Sequence, residues 1–226
     1  MCYSAEASFA ASGVLAASSI AIARLPKDKA SIPLSLFPAI FAAHQFTEGL
    51  IWLQQDGILS DTYKPGALYA YALIAFVLWP VFAPFSAYLL ETERCRRIII
   101  LTCQALGLWV GFILLLGIIR TPVHVSAGCC SLSYYVNVAD IWLTPYLIAV
   151  AMPFLFSSHR SLVIFGLVIV VSCIAAFVST SSETLPSVWF FFAALLSAGL
   201  YAHFRFTGRI SAPQPTSKSN LNAVAN

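Results

Sequence analysis

Seven apolar runs, most of them close to the length a helix needs to cross a bilayer, set the limits on what this chain can fold into. They extend from Ser4 to Ala23, Ile32 to Gln54, Ala67 to Leu90, Ile98 to Ile119, Ile141 to Phe156, Leu162 to Val178 and Pro186 to Phe206. The fifth and sixth are the shortest. Charged residues make up only 9% of the 226 residues and fall almost entirely between these runs, which excludes an ordinary soluble domain. The expected fold is all-α: a polytopic transmembrane bundle of about seven helices forming a single domain over residues 1–210. The polar stretch 211–226 carries no packed apolar pattern and is expected to be a disordered cytoplasmic tail.

The basic residues give the orientation. In a seven-span arrangement ten of the 12 lysines and arginines share one side, and only Lys64 and Arg120 fall on the other. By the positive-inside rule the crowded side is cytoplasmic, so the N-terminus is expected outside and the C-terminus inside. The formal charge of +3 then reports topology and gives no reason to invoke nucleic acid. Nothing basic precedes Arg24, so the first run is expected to stay as an anchor instead of being cleaved as a signal peptide. The expected location is a cell membrane, with a bacterial inner membrane as the setting. Membrane lipids are the expected partners; with no soluble domain attached, any cytoplasmic output requires a second copy or another membrane protein.

One stretch, from His44 to Trp52, places a histidine and a carboxylate inside an apolar run. Ionisable groups in hydrocarbon are costly unless paired or wet, which makes them a functional-site hypothesis. Helical spacing puts His44 and Glu48 on one face, extended by Trp52 and Gln55, and that face is expected to look inward. Three readings stay open: a purely structural pair, a substrate, ion or proton site, and a metal site completed by a third ligand. No cofactor is implied by the residues.

Near the N-terminus, Ala7, Ser8, Ala11, Ser12, Ala16 and Ser19 recur at spacings of three and four, as a close-packing face requires. Removal of Met1 would leave Cys2 with a free α-amine, a nucleophile carrying its own base; a disulfide or an inert thiol is the plainer alternative. Glu6 is expected either at the interface or turned inward toward Glu48. Further along, Trp79-Pro80 and Pro84 in the third run, with Pro145 and Pro153 in the fifth, predict bent helices whose freed carbonyls are satisfied by neighbours. Tyr63, Tyr69, Tyr71, Tyr134, Tyr135 and Trp189 lie near outer ends and read as interfacial anchors.

The connection from Arg120 to Asp140 holds two short β-prone runs, Thr121 to Ser126 and Leu132 to Val136, and predicts a small hairpin over the mouth of the bundle. His124, Cys129, Cys130 and Asp140 bring polar chemistry to it. Two adjacent cysteines without C-x-x-C spacing favour a disulfide, with Cys2 to Cys129 or Cys130 as the expected pairing. The two cytoplasmic connections, Glu91 to Arg97 and Ser157 to Ser161, are short and offer little.

The opening Met1-Cys2-Tyr3-Ser4-Ala5-Glu6, the segment His44 to Trp52 and the Leu78-Trp79-Pro80 turn resemble an uncharacterised bacterial membrane-protein family whose members begin with Met-Cys-aromatic-Ser-Ala. The resemblance covers the N-terminal third best. It implies a multi-helix integral membrane protein, points at Cys2, Glu6, Glu48 and Trp52, and carries no activity with it.

Other seven-helix classes fit poorly. Retinal proteins need a lysine in the last span, and no span here contains one. Zinc hydrolases of the ceramidase type need several clustered histidines, whereas His203 stands far along the chain from His44. Haem held by two histidines meets the same obstacle. Sugar-type transporters repeat a proline motif that the first run lacks. The expectation is therefore an outward-opening polar pocket bounded by Glu6, His44, Glu48, Trp52 and Asp140. It would bind or transport a small polar substrate, ion or proton; a membrane-embedded enzyme using Cys2 or a metal at His44 and Glu48, and a structural subunit, are the alternatives.

Overall fold

The computed structural model describes residues 4–60, 62, 64–128, 132–136, 140–179, 189, 196 and 199–205. Helices dominate: α1 (Ala5–Ala23), α2 (Ile32–Ser35), α3 (Phe37–Gln55), α4 (Lys64–Ala72), α5 (Trp79–Leu90), α6 (Arg94–Arg120), α7 (Leu143–Leu155) and α8 (Arg160–Ser179). A π-helical segment, Leu73–Leu78, joins α4 to α5 into one continuous rod. Residues 199–205 are helical as well, in the seventh predicted run. Four helices are long and apolar enough to cross a membrane: Ala5–Ala23, Pro65–Leu90, Arg94–Arg120 and Arg160–Val178, with Leu143–Leu155 apolar but shorter. Leu108, Phe112, Val171 and Phe177 are more than half exposed on α6 and α8, as lipid-facing side chains are expected to be.

Side-chain chemistry explains where the helices start. The Ser4 side chain caps α1 by accepting from the Ala7 amide at 3.3 Å. The second run is not one helix from Ile32 to Gln54. Pro38 has no N–H to continue the ladder from Leu34, so the chain breaks at Leu36 and restarts as α3 with proline in its first turn. The small-residue face of α1 lies along α3: Ser8 is buried, and the Ser12 hydroxyl donates to the Ala42 carbonyl at 2.9 Å. Gly49 completes this contact, since a Cβ there would come within 2.8 Å of the Phe9 ring.

Prolines organise the rod formed by α4 and α5. In the π register the donor due to the Ala75 carbonyl belongs to residue 80, and Pro80 has no N–H. The buried Tyr146 hydroxyl on α7 donates there instead, at 2.6 Å. Pro84 likewise leaves the Pro80 carbonyl without its i+4 donor, and that carbonyl lies directly against Gly107 of α6, where a Cβ would sit 1.8 Å from the oxygen. Phe37, at the start of α3, meets Trp79, Phe82, Phe154 and Phe165 at centroid distances of 5.1–6.1 Å, tying α3 to α5, α7 and α8.

The hairpin forms where the sequence places it. Strand β1 (His124–Ala127) pairs antiparallel with β2 (Leu132–Tyr135), with His124 opposite Tyr135 and Ala127 opposite Leu132. The aromatic residues near the predicted outer ends correct the anchor expectation. Tyr69 and Tyr135 are exposed, but Tyr71, Tyr134 and Trp189 are buried, and Tyr63 lies outside the described residues. The predicted tail lies outside them too.

At the opposite end the two short connections are locked together. The Glu91 carboxylate accepts from the amides of Thr92 and Glu93, both at 3.0 Å, and from the Ser158 amide and hydroxyl at 2.6 and 2.8 Å. Arg96 donates to the Phe156 and Ser157 carbonyls at the end of α7, at 3.2 and 2.8 Å. Burial alone would raise the Glu91 carboxyl, but the amides of Glu93, Ser158 and Thr92 and the Ser158 hydroxyl outweigh it and hold the group below the usual carboxylate range.

Two stability predictions follow from these contacts. Gly107→Ala is expected to force α6 off the Pro80 carbonyl and destabilise the detergent-solubilised protein by about 1–3 kcal/mol. Gly13→Ala, which meets nothing within 4 Å, is expected to leave the melting temperature unchanged or raise it. Because the folded Glu91 value is depressed, its contribution is present above the ordinary carboxylate range and is lost as pH falls through the folded value. Melting temperature measured against pH is therefore expected to fall less steeply at the acid end in Glu91→Gln than in wild type, from a lower plateau.

Candidate functional site

The polar stripe on α3 is turned inward. His44 is 0% exposed, Gln45 and Glu48 are each 2% exposed, and Trp52 is buried beside them. Glu48 Oε2 accepts a hydrogen bond from Gln45 Nε2 at 3.2 Å. A buried carboxylate in a chain of this kind is expensive, so the groups that surround it decide what it can do.

Those groups come from two other elements. The Tyr71 ring on α4 lies 4.2 Å from the His44 ring, and the Tyr134 ring on β2 stacks on Tyr71 at 4.0 Å with only 10° between the planes. Three rings thus run in series from α3 through α4 to the hairpin. Glu48 lies close enough for its charge to act on both phenols. Burial, followed by the charge of Glu48, pushes the Tyr134 hydroxyl well above its ordinary range, so this phenol stays protonated and available as a donor. The hairpin thus carries the buried Tyr134 ring onto Tyr71, at the end of the ring series farthest from His44.

The remaining candidates are placed separately. Glu6 is exposed in the first turn of α1 and is not brought to the buried Glu48. Asp140 opens a short 3-10 turn, Asp140–Trp142, that leads into α7. Cys2, Cys129 and Cys130, the nucleophile and disulfide candidates, lie outside the described residues. Cys103 and Cys173 are buried free thiols and Cys95 is an exposed one. Among the described residues no three His, Cys, Asp or Glu side chains gather in a way that could hold a metal ion, so His44 and Glu48 meet no third ligand of that kind there.

Residues 1–217 match the model of a family of unknown function, DUF6629. The chain belongs to that family. No curated protein and no solved structure matches it. The family match spans nearly the whole chain, so the helices, the hairpin and the buried group are all part of the family's matched region.

Sequence reasoning missed Gln45, Tyr71 and Tyr134. Gln45 stands three residues before Glu48, and that helical spacing carried the signal of a second polar residue on the carboxylate's face. Tyr71 and Tyr134 gave no such sign, since a tyrosine near the predicted end of a span looks alike whether it anchors there or packs inside. If Tyr134 covers the carboxylate, Tyr134→Ala is expected to speed labelling of Glu48 by a hydrophobic carbodiimide, read by mass spectrometry of the Glu48 peptide. Tyr135→Ala, from the exposed side of the same strand, is expected to leave that rate as in wild type.

Proposed function

We propose that this family member is a multi-pass protein of the cell membrane that binds a proton or small cation at Glu48 and moves it across the bundle, with the hairpin end outside. The observation that carries this reading is a nearly fully buried carboxylate on α3 placed under a ring stack whose last member belongs to the hairpin. Such a carboxylate must either hold a proton or face a cation, because the bare charge is too costly in these surroundings. Gln45 orients it, His44 and the two phenols supply exchangeable protons beside it, and Trp52 forms an aromatic wall on the same helix face. The tight packing around the group favours a particle the size of a proton or bare ion over a larger polar substrate. In the seven-span reading of the sequence, ten of the 12 basic residues fall on the side away from the hairpin connection, which supports the assigned orientation.

A structural reading is favoured by one observation: His44 and Tyr71 are both completely buried, as members of a static brace would be. Proteoliposomes separate the two. With an internal pH-sensitive dye and an imposed potential, the wild type is expected to take up protons, or to exchange them for a small cation, while Glu48→Gln falls to the leak of protein-free vesicles at unchanged melting temperature. Equal flux in both proteins would overturn the transport reading. So would a wild type no faster than empty vesicles, and a loss of thermal stability confined to Glu48→Gln would then assign the group to structure.

A further inference from the structure

An open groove of about 360 Å³ lies at the arginine-rich end of the bundle, lined by Tyr88, Thr92, Arg94, Arg97, Ile98 and Leu101. Its chemistry is divided. Ile98 and Leu101 are 57% and 52% exposed on the first turns of α6, continuous with the apolar face of a helix long enough to cross the membrane. Arg94 and Arg97 are exposed at the other edge, where that face ends. Arg97 is held in place by lying over the Tyr88 ring, with its guanidinium carbon 4.5 Å from the centroid.

The arginines of this turn are not equivalent. Arg96 spends its donors on the carbonyls that end α7. Glu91, the buried carboxylate of the same connection, is occupied by Ser158 and by its own neighbouring amides. Glu93 is exposed and does not line the groove. Two guanidinium groups therefore face an open space with an apolar floor, at the level where a spanning helix leaves the hydrocarbon.

We propose that this groove binds the phosphate headgroup of an anionic glycerophospholipid, with Arg94 and Arg97 on the phosphate and the acyl chains running along Ile98 and Leu101. Charge complementarity selects an anion, and the apolar floor joined to the lipid-facing side of α6 selects one that carries hydrocarbon. Guanidinium is the side chain best shaped to grip phosphate oxygens in pairs. The site is separate from Glu48 and does not depend on what that residue carries.

Native mass spectrometry of the detergent-purified full chain tests this, using phosphatidylglycerol and phosphatidylcholine of the same acyl composition as probes. Each basic residue near an anionic lipid contributes about a fivefold gain in affinity. Wild type is expected to retain phosphatidylglycerol in preference to phosphatidylcholine, and Arg94→Gln/Arg97→Gln is expected to lose that preference by about twenty- to thirtyfold. Arg24→Gln/Lys29→Gln, from another basic turn, is expected to keep it. Should the double variant fold poorly, Arg94→Gln alone, which leaves the Arg97 stack on Tyr88 intact, is expected to lose about fivefold. Equal retention of the two lipids by wild type, or an unchanged preference in the folded arginine variants, would overturn the proposal. Displacement of the lipid by millimolar inorganic phosphate would overturn it as well, by showing that the acyl chains add nothing.

Discussion

A backbone carbonyl inside a membrane has no water to turn to, and in this protein that constraint falls on the rod formed by α4 and α5. Pro80 and Pro84 each remove a donor, and the two carbonyls involved face different neighbours. Ala75 is served by the Tyr146 hydroxyl from α7. The Pro80 carbonyl is accommodated by Gly107, whose missing side chain lets α6 approach until the backbones nearly touch. The same prolines that weaken the rod thus fix which helices stand on either side of it. Because the rod also carries Tyr71 and Trp79, the placement of α6 and α7 determines how the rod presents both rings to α3.

The buried group on α3 combines elements with different claims on solvent. His44, Gln45 and Glu48 come from a helix that is too polar to count among the four most apolar spans, Tyr71 from the proline-rich rod, and Tyr134 from a hairpin of only four residue pairs. No single element could hold a carboxylate there. Aromatic stacking supplies contact without demanding that every polar atom be paired at once, and phenols tolerate both a protonated and an ionised neighbour. A site with those properties can change its charge state without losing its packing, which distinguishes it from the Glu91 junction, where every carboxylate contact is a donor and a lost charge loosens all of them.

Much of this was legible in the residues. The apolar runs gave the helices, the small residues of α1 gave its packing face, and the β-prone runs flanking Gly128 gave the hairpin to within a few residues. The spacing of His44, Glu48 and Trp52 correctly assigned one inward face. What failed were the features that need two distant segments to be seen together. Tyr71 and Tyr134 are 63 residues apart and stack directly, whereas each alone resembles an interfacial tyrosine. The break at Leu36 could be reasoned from Pro38, but an apolar run of the right length hid it. The clasp of Glu91 on Ser158 escaped notice because both belong to connections too short to suggest a partner.

The brevity of α7 has a consequence for the end of the bundle where it begins. Its 13 residues rise about 20 Å, against roughly 40 Å for the 27 residues of α6 and about 30 Å of hydrocarbon. The junction with Ser158 holds the C-terminal end of α7 level with the start of α6, so the whole difference in length falls at its N-terminal end. The N-terminus of α7 therefore stops well short of the far end of α6, and the chain reaches it through the Asp140–Trp142 turn, where Ile141 is 75% exposed. Helices that end at different heights on one side ask a surrounding bilayer to match two hydrophobic lengths at once, a mismatch that tilting the whole bundle would relieve for one helix only by worsening it for the other.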